Sequence, residues 1–499
     1  VFSFSAAHPT NDVHSLMRVV VLMVGVLLVA GSMMRVADLV GYVSRSVVVG
    51  YIAGASLLII ANQLRHVLGV DPGGGRSFFT IAWGTVKEIG NANLLTVLLG
   101  GGTAALYFAL GKVLRGWPNF AISLLVATAV ASLLAGANPD LAVPCFGAVE
   151  LGSLLPELTV FSEPGLIDKI ALLFGLAFGL AFLASLETSV MSKTLASRTG
   201  DRPDMNQDML GVGAANIGCA FLSGMVASGS LTRSALNFSS GAATRLASVF
   251  SAVICAVGLL ALAPMLRFVP KCALAALVIA VALTLINSRQ LRLCFFATRS
   301  DATTVVVTFV SALLMPLYVA IFIGVGTAVA LFLRKAARPE LVEYDFGATG
   351  ELNELKKGER RSLPAISIVH VEGELFFGAA ELFRRQIQAT ASDPNLKVIV
   401  LRMKNARHLD ATSVIALEDL VGFLRDRGCH LIVSGVMKEV YRVLKSSGAV
   451  EVIGKENIFP GSIDNPNLAT RNALKRAQQL LGTKDVDLRI FHDPSRPME

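Results

Sequence analysis

The sequence predicts a polytopic α-helical membrane domain followed by a small C-terminal α/β domain. Of the 499 residues, 54% are hydrophobic and 16% are charged, with a mean hydropathy of +0.63. That balance lies outside the range of soluble globular chains. About eleven apolar segments alternate with charged connections as far as Arg338, several of them close to the ~20 residues that cross a bilayer. After Pro339 the long apolar stretches stop, and strand-like and helix-like runs alternate instead.

In chain order the apolar segments are Met17–Met34, Val47–Leu64, Leu94–Leu114, Phe120–Leu134, Ile170–Leu186, Met209–Met225, Leu231–Ala243, Ala247–Leu266, Ala273–Ile286, Thr303–Met315 and Leu317–Leu333. Two short ones, Leu231–Ala243 and Ala273–Ile286, read as half-helices. Lys and Arg gather in alternate connections: Arg35 and Arg45, Lys112 and Arg115, Lys193 to Arg202, Arg245, Arg289 to Arg299, and Arg334 to Arg338. By the positive-inside rule these are cytoplasmic. The connection from Ala137 to Asp168 holds Asp140, Glu150, Glu157, Glu163 and Asp168 before any Lys or Arg, and reads as external. Arg65, Arg76, Lys87, Arg267 and Lys271 fall on the external side and break the rule. With the C-terminus inside, an odd number of crossings puts Val1 outside, so the reading expects further helices upstream of Val1.

The soluble part begins with a charged linker over 339–362. Strands are expected at Ala365–Val371, Leu375–Phe377, Lys397–Met403 and Cys429–Val433. Helices are expected at Ala379–Ala389, Ala411–Asp426, Lys438–Ser446 and Asn467–Leu481. This gives an α/β domain over 363–482 with one sheet face covered by helices, then a polar tail over 483–499.

The stretch from Leu166 to Ala243 carries the chemistry. An apolar run ends on Glu187, a hydrophilic hairpin follows from Lys193 to Asp208, and a second apolar run becomes small and polar at Ala227-Ser-Gly-Ser-Leu-Thr-Arg-Ser-Ala-Leu-Asn237. An arginine among glycine and serine between two apolar segments is unfavourable at membrane depth unless protein or a water-filled cavity surrounds it. The reading is a broken helix: Gly229 and Ser230 keep the backbone extended and a new helix starts near Leu231. Its free N–H groups and positive dipole end attract an anion, and Arg233 adds a full charge. The alternatives are that Arg233 snorkels to a headgroup from an interfacial loop, and that Glu187 is a helix-end carboxylate at the cytoplasmic surface.

The other residues exclude competing classes. Six cysteines are scattered without CxxC or His pairing, which argues against a disulfide framework or a metal site. The net charge of +8 follows from basic loops rather than a nucleic-acid surface. No Ser-His-Asp set, phosphate loop or metal cluster points to an enzyme. His370, His408 and His430 are dispersed and read as surface or packing residues.

The run Glu187-Thr, Asn206-Gln-Asp, Ala215-Asn-Ile and Gly229-Ser-Leu-Thr-Arg-Ser-Ala-Leu-Asn237 resembles the sulfate-permease (SulP) family of anion transporters. Val40-Gly-Tyr-Val-Ser-Arg-Ser through Gly69 is similar to that family's fifth helix. Asp410-Ala-Thr-Ser413 is similar to the strand-to-helix turn of the STAS domains these transporters carry.

The resemblance implies two inverted seven-helix repeats in the uracil-permease-like arrangement of core and gate domains, with a C-terminal α/β STAS domain. The membrane domain of residues 1–338 then lacks a counterpart to the family's first three helices. It also implies an anion held between two facing half-helices, so that Ser230, Leu231, Thr232, Arg233 and Ser234 form the substrate site and Glu187 the coupling or site-organising carboxylate. Thr232 stands where many members carry serine. No cofactor is implied beyond a coupling proton or sodium ion at Glu187.

The resulting expectation is a secondary transporter of small oxyanions, sulfate or bicarbonate first, in the inner cell membrane with a cytoplasmic STAS domain. Its partners would be the anion, the bilayer, a second copy in a homodimer and a cytoplasmic protein on the STAS domain. Asp410, Thr412 and Ser413 are read as a regulatory turn, with Thr412 open to phosphorylation or partner contact, or else as a plain helix cap. An anion channel or exchanger on the same scaffold, and a membrane-anchored STAS signalling platform with little transport, are the alternatives.

Overall fold

The computed structural model describes residues 13–40, 43–71, 77–113, 117–138, 143–147, 166–222, 224–337, 340–346, 352–355, 361–461 and 468–482. The chain divides into two units, 1–328 and 329–499.

The first unit is helical: α1 (Val13–Met33), α2 (Val36–Val40), α3 (Arg45–Leu68), α4 (Phe78–Lys87), α5 (Leu94–Val113), α6 (Asn119–Ala137), α7 (Leu166–Thr199), α8 (Met205–Phe221), α9 (Leu231–Ser239), α10 (Leu246–Leu262), α11 (Lys271–Leu285), α12 (Ser288–Ala297), α13 (Arg299–Leu314) and α14 (Leu317–Ala336). Among the described residues eight helices are long and apolar enough to cross a membrane. Each of the eleven apolar segments overlaps a helix, and the three beyond these eight, α8, α9 and α13, have 17, 9 and 16 residues. A lipid environment explains α10, which has no buried residue and exposes Val249, Phe250, Val253, Ile254 and Val257. In water that surface would drive aggregation; in a bilayer it is the ordinary outer face.

Three short helices were not anticipated: α2, α4 and α12 are too short or too mixed in polarity to stand out as apolar runs. The end of α7 also moves. It runs for 34 residues through the expected start of the hairpin, because no helix breaker occurs between Leu186 and Gly200. The segment read as a half-helix at Ala273–Ile286 is α11, and α12 follows after a break at Ile286 and Asn287.

Packing joins the helices into two groups. In the first, α1 lies against α7 and α8, burying Leu16, Val20, Val24 and Leu28 with Leu173, Ala177, Ala184 and Met209. The crossing of α1 and α8 is set by two glycines. A Cβ at Gly25 would meet the Ile217 N at 2.7 Å, and one at Gly213 would meet the Val29 N at 2.9 Å. Small residues at such a crossing let backbones approach where no solvent effect drives helices together. In the second group, α3 packs on α11 and α13, with Ser46 Oγ donating to Asp301 Oδ1 at 2.6 Å. The groups meet where α7 faces α3 and α14, through Leu186, Val47, Tyr51 and Ile321. Phe178 and Phe182 each lie within 6 Å of Phe322, at 5.8 and 5.7 Å between ring centroids. Near the start of α11, Cys145 bridges Pro270 antiparallel, with the Lys271 N–H donating to the Pro144 carbonyl at 2.9 Å.

The second unit is an α/β domain with one six-stranded sheet in the order β2-β1-β3-β4-β5-β6. Its strands are β1 (Glu340–Phe346), β2 (Leu352–Glu354), β3 (Ile366–Glu374), β4 (Val398–Arg407), β5 (His430–Val436) and β6 (Ile458–Pro460). β3 to β6 run parallel, and β1 is antiparallel to both β2 and β3. The helices are α15 (Phe377–Thr390), α16 (Ala411–Asp426), α17 (Lys438–Ser446), α18 (Ala449–Ile453) and α19 (Leu468–Leu481).

Three expectations are corrected here. The stretch 339–362 is no bare linker, since it supplies β1 and β2. At its end Arg361 bonds Glu343 of β1 at 2.5 Å and Asp393 at 2.7 Å. The expected strand Leu375–Phe377 is instead the entry to α15, whose first residue is Phe377. Both sheet faces are covered rather than one. Phe383, Leu417, Leu420 and Leu444 pack on Val369, Leu401 and Val433, while Ala473, Leu474 and Ala477 pack on Ile368, Val400 and Ile432.

The Gly25–Gly213 crossing yields a test. Gly213→Val should destabilise the membrane unit by about 1–3 kcal/mol, read as a lower melting temperature of the full chain in detergent. Gly218→Ala on the same helix, with open space around it, should leave the melting temperature unchanged.

Candidate functional site

The site is built where a helix is interrupted. α8 stops at Phe221, and its end is closed by Leu222 and Gly224 N–H groups donating to the Cys219 carbonyl at 3.2 and 2.7 Å. Residues 224–230 are not helical, and Ser230 is extended at φ −102° and ψ 111° as the N-cap of α9. No side-chain hydrogen bond caps α9, so its first-turn N–H groups are not consumed by its own cap. The first intrahelical bond runs from Ser234 N to Ser230 O at 3.0 Å. The broken helix expected from Gly229 and Ser230 is therefore present, and α9 is only nine residues long.

Two helices hold the interrupted segment. From α7, Glu187 accepts a hydrogen bond from Ser228 Oγ at Oε2. Thr188, buried, accepts the Gly229 N–H on Oγ1 at 3.4 Å. A Cβ at Gly229 would meet Thr188 Cα and Met191 Sδ, both at 3.1 Å, so glycine permits the segment to lie on α7. From α8, Asn216 accepts the Ala227 N–H at 2.9 Å and donates to the Ala227 carbonyl at 2.9 Å.

The expected site residues fall as follows. Ser230 and Arg233 lie at the start of α9, and Glu187 reaches the segment before it through Ser228. Leu231 and Thr232 form the first turn of α9. Arg233 is exposed, and none of the ion pairs among the described residues involves it. A cation in the first turn adds to the positive end of the helix rather than neutralising it, an arrangement suited to an anion. Ser234 departs from expectation: its hydroxyl donates to Met191 Sδ at 3.1 Å, which turns it toward α7.

Residues outside the expected set contribute as well. Thr188, Met191 and Asn216 position the segment, and Tyr51 of α3, packed beside Leu186, lies within electrostatic reach of Glu187. The signal for Asn216 lay in the chain: a carboxamide in the middle of an apolar segment needs partners at membrane depth. Among the described residues no group of three His, Cys, Asp or Glu is placed to hold a metal ion.

In the second unit, Asp410 is the N-cap of α16, with Oδ1 accepting the Ser413 N–H at 2.9 Å. Its Oδ2 accepts the Phe377 N–H of α15 at 2.6 Å. Thr412 is exposed in the first turn of α16, whereas Ser413 is buried at 3% exposure. A buried serine offers no surface for modification or partner contact, so the regulatory reading narrows to Thr412. His370 is buried on β3; His408 and His430 are exposed.

The interrupted helix, the lipid-facing helices and the appended α/β domain define a multi-pass membrane protein with a C-terminal α/β domain. The chain belongs to the sulfate permease family, which it matches over residues 5–308, and carries a STAS domain over residues 359–463. Among curated relatives it is 25% identical to a probable sulfate transporter 4.2 of Arabidopsis thaliana, over 90% of this chain and 68% of that one. It is 24% identical to the Bacillus subtilis putative sulfate transporter YvdB, over 88% of this chain and 80% of that one. Among solved structures it resembles murine Solute Carrier 26 family member A9 in the inward-facing state, with a TM-score of 0.81 at 18% identity over 93% of this chain and 76% of that chain. The transmembrane domain of the cyanobacterial bicarbonate transporter BicA matches with a TM-score of 0.53 at 20% identity over 66% of this chain and 79% of that chain. These structures share the fold with this chain.

Asp410 gives a pH test. Burial pushes its carboxyl up, and the N–H groups of Ser413 and Phe377 more than offset this, holding it below the usual carboxylate range. A lowered folded-state pKa means stability present above the unfolded value, about 4, and lost as pH falls through the folded value. Asp410→Ala should destabilise the STAS fold by about 1 kcal/mol at pH 7. In pulse proteolysis of the full chain, that difference between wild type and variant should shrink as pH drops below about 4.

Proposed function

We propose that this protein is a secondary transporter that moves a small oxyanion across its membrane by alternating access, with its STAS domain on the cytoplasmic side. The observation that carries the reading is the start of α9, where extended backbone gives way to a nine-residue helix with Arg233 in its first turn. Backbone N–H groups there, with the Arg233 charge, replace part of the anion's hydration shell. Sulfate and bicarbonate are the first substrates to try, since the relatives are described as sulfate transporters and a solved relative in fold as a bicarbonate transporter.

Glu187 supplies the coupling. It holds Ser228, two residues before the N-cap, so protonation of its carboxylate, or a sodium ion beside it, acts on the segment that forms the anion site. The two helix groups supply the moving parts. Their contact at Phe178, Phe182 and Phe322 is made of rings, which slide without breaking hydrogen bonds.

The test is uptake of labelled anions into proteoliposomes, with and without an inward proton or sodium gradient. Wild type should take up one oxyanion saturably. Arg233→Ala should lower kcat/KM by about 10- to 100-fold, as expected for a lost charge-assisted contact. Glu187→Gln should abolish the response to the gradient while leaving exchange of the same anion measurable. Uptake by Arg233→Ala equal to wild type would remove α9 from the binding role.

A further inference from the structure

We infer that Asn216 is a positioning residue for the anion site, acting through the backbone of Ala227. This rests on the transport reading above. Asn216 sits in the middle of α8 and is fully buried, at 0% exposure. Its carboxamide makes three hydrogen bonds: Nδ2 donates to the Val212 carbonyl at 2.8 Å and to the Ala227 carbonyl at 2.9 Å, and Oδ1 accepts the Ala227 N–H at 2.9 Å. One side chain thus pairs with both backbone groups of a single residue, as a neighbouring strand would.

The pairing answers a specific demand. Where a helix is interrupted inside an apolar unit, the freed N–H and C=O groups lose their intrahelical partners, and side chains from neighbouring helices can replace them. Ala227 is the residue at which that happens. It is followed directly by Ser228, which holds Glu187, and by Gly229, whose N–H reaches Thr188. The Asn216 clamp on one side and the α7 contacts on the other therefore fix the direction in which the chain enters α9. That direction sets where the first-turn N–H groups and Arg233 point. Asn216 does not touch the anion; it decides whether the groups that do are aimed together.

Removing one half of the clamp separates this role from general stability. Asn216→Asp keeps the acceptor for the Ala227 N–H and sets a second acceptor against the Ala227 carbonyl. Ala227→Pro deletes the N–H, with the ring also fixing φ at that residue, and leaves Asn216 in place. Two readouts are taken on the full chain: sulfate uptake into proteoliposomes, and the rise in detergent melting temperature produced by sulfate. Asn216→Asp should raise the KM for sulfate by about tenfold with kcat changed much less, and should weaken the sulfate-induced stabilisation in parallel. In a Ser228→Ala background, which already loosens the segment from Glu187, the same substitution should have a markedly smaller effect on KM. Ala227→Pro should shift KM in the same direction, and supplies the answer if Asn216→Asp does not fold.

An unchanged KM in the folded variants, or effects of Asn216→Asp and Ser228→Ala that simply multiply, would overturn the positioning role. Wild type that is stabilised by sulfate but does not transport it would overturn the transport reading and leave the positioning role standing, provided Asn216→Asp loses the stabilisation. Wild type that shows neither response would overturn both for sulfate.

Discussion

The membrane unit depends on one requirement: backbone groups freed by a break in a helix must be hydrogen-bonded by protein, because hydrocarbon offers no partners. At 224–230 that requirement is met from two sides, by Asn216 on α8 and by Thr188 on α7, with Glu187 holding the adjacent serine hydroxyl. The demand propagates outward. For α8 to present Asn216 at the right height it must be fixed itself, and it is fixed by the close crossing with α1 at Gly25 and Gly213. For α7 to present Glu187 and Thr188 it must be long and straight, and it runs unbroken through both. A single interrupted strand of chain thus accounts for the order of packing among α1, α7, α8 and α9.

Electrostatics then gives the break its chemistry. A helix start is partially positive, and Arg233 makes it more so instead of compensating it. Isolated, that combination is unfavourable; an anion beside it would offset both charges, as the proposed function requires. The Glu187 carboxylate is engaged with Ser228, in the segment that leads into the helix.

The STAS unit uses the same economy of side chains in water. Asp410 satisfies an N–H at the start of α16 and another at the start of α15, tying two helices on one sheet face to a single turn. On β1, Glu343 accepts from Arg361 and from Ser367 Oγ. This stitches β1 to the chain that follows it, so a charged stretch becomes part of the sheet.

Much of this was legible in the residues alone. Long apolar runs announced the membrane unit, and Gly229-Ser-Leu-Thr-Arg233 between two of them announced the broken helix, because glycine, serine and arginine have strong local preferences that context seldom overrides. In the STAS unit the amphipathic runs Ala411–Asp426 and Lys438–Ser446 agree with α16 and α17 to the residue, since apolar periodicity and a capping residue are local signals. Only the tertiary structure decided the rest. That β1 and β2 join the sheet by pairing with β3 and with each other, and that Ser234 turns to Met191, depend on partners supplied from elsewhere in the fold. Asn216 makes the point most plainly: its residue type signalled a buried polar need, but the partner, eleven residues on at Ala227, is set by how the chain doubles back after the break. Local chemistry determined which elements form and where one fails; long-range hydrogen bonding determined what that failure is for.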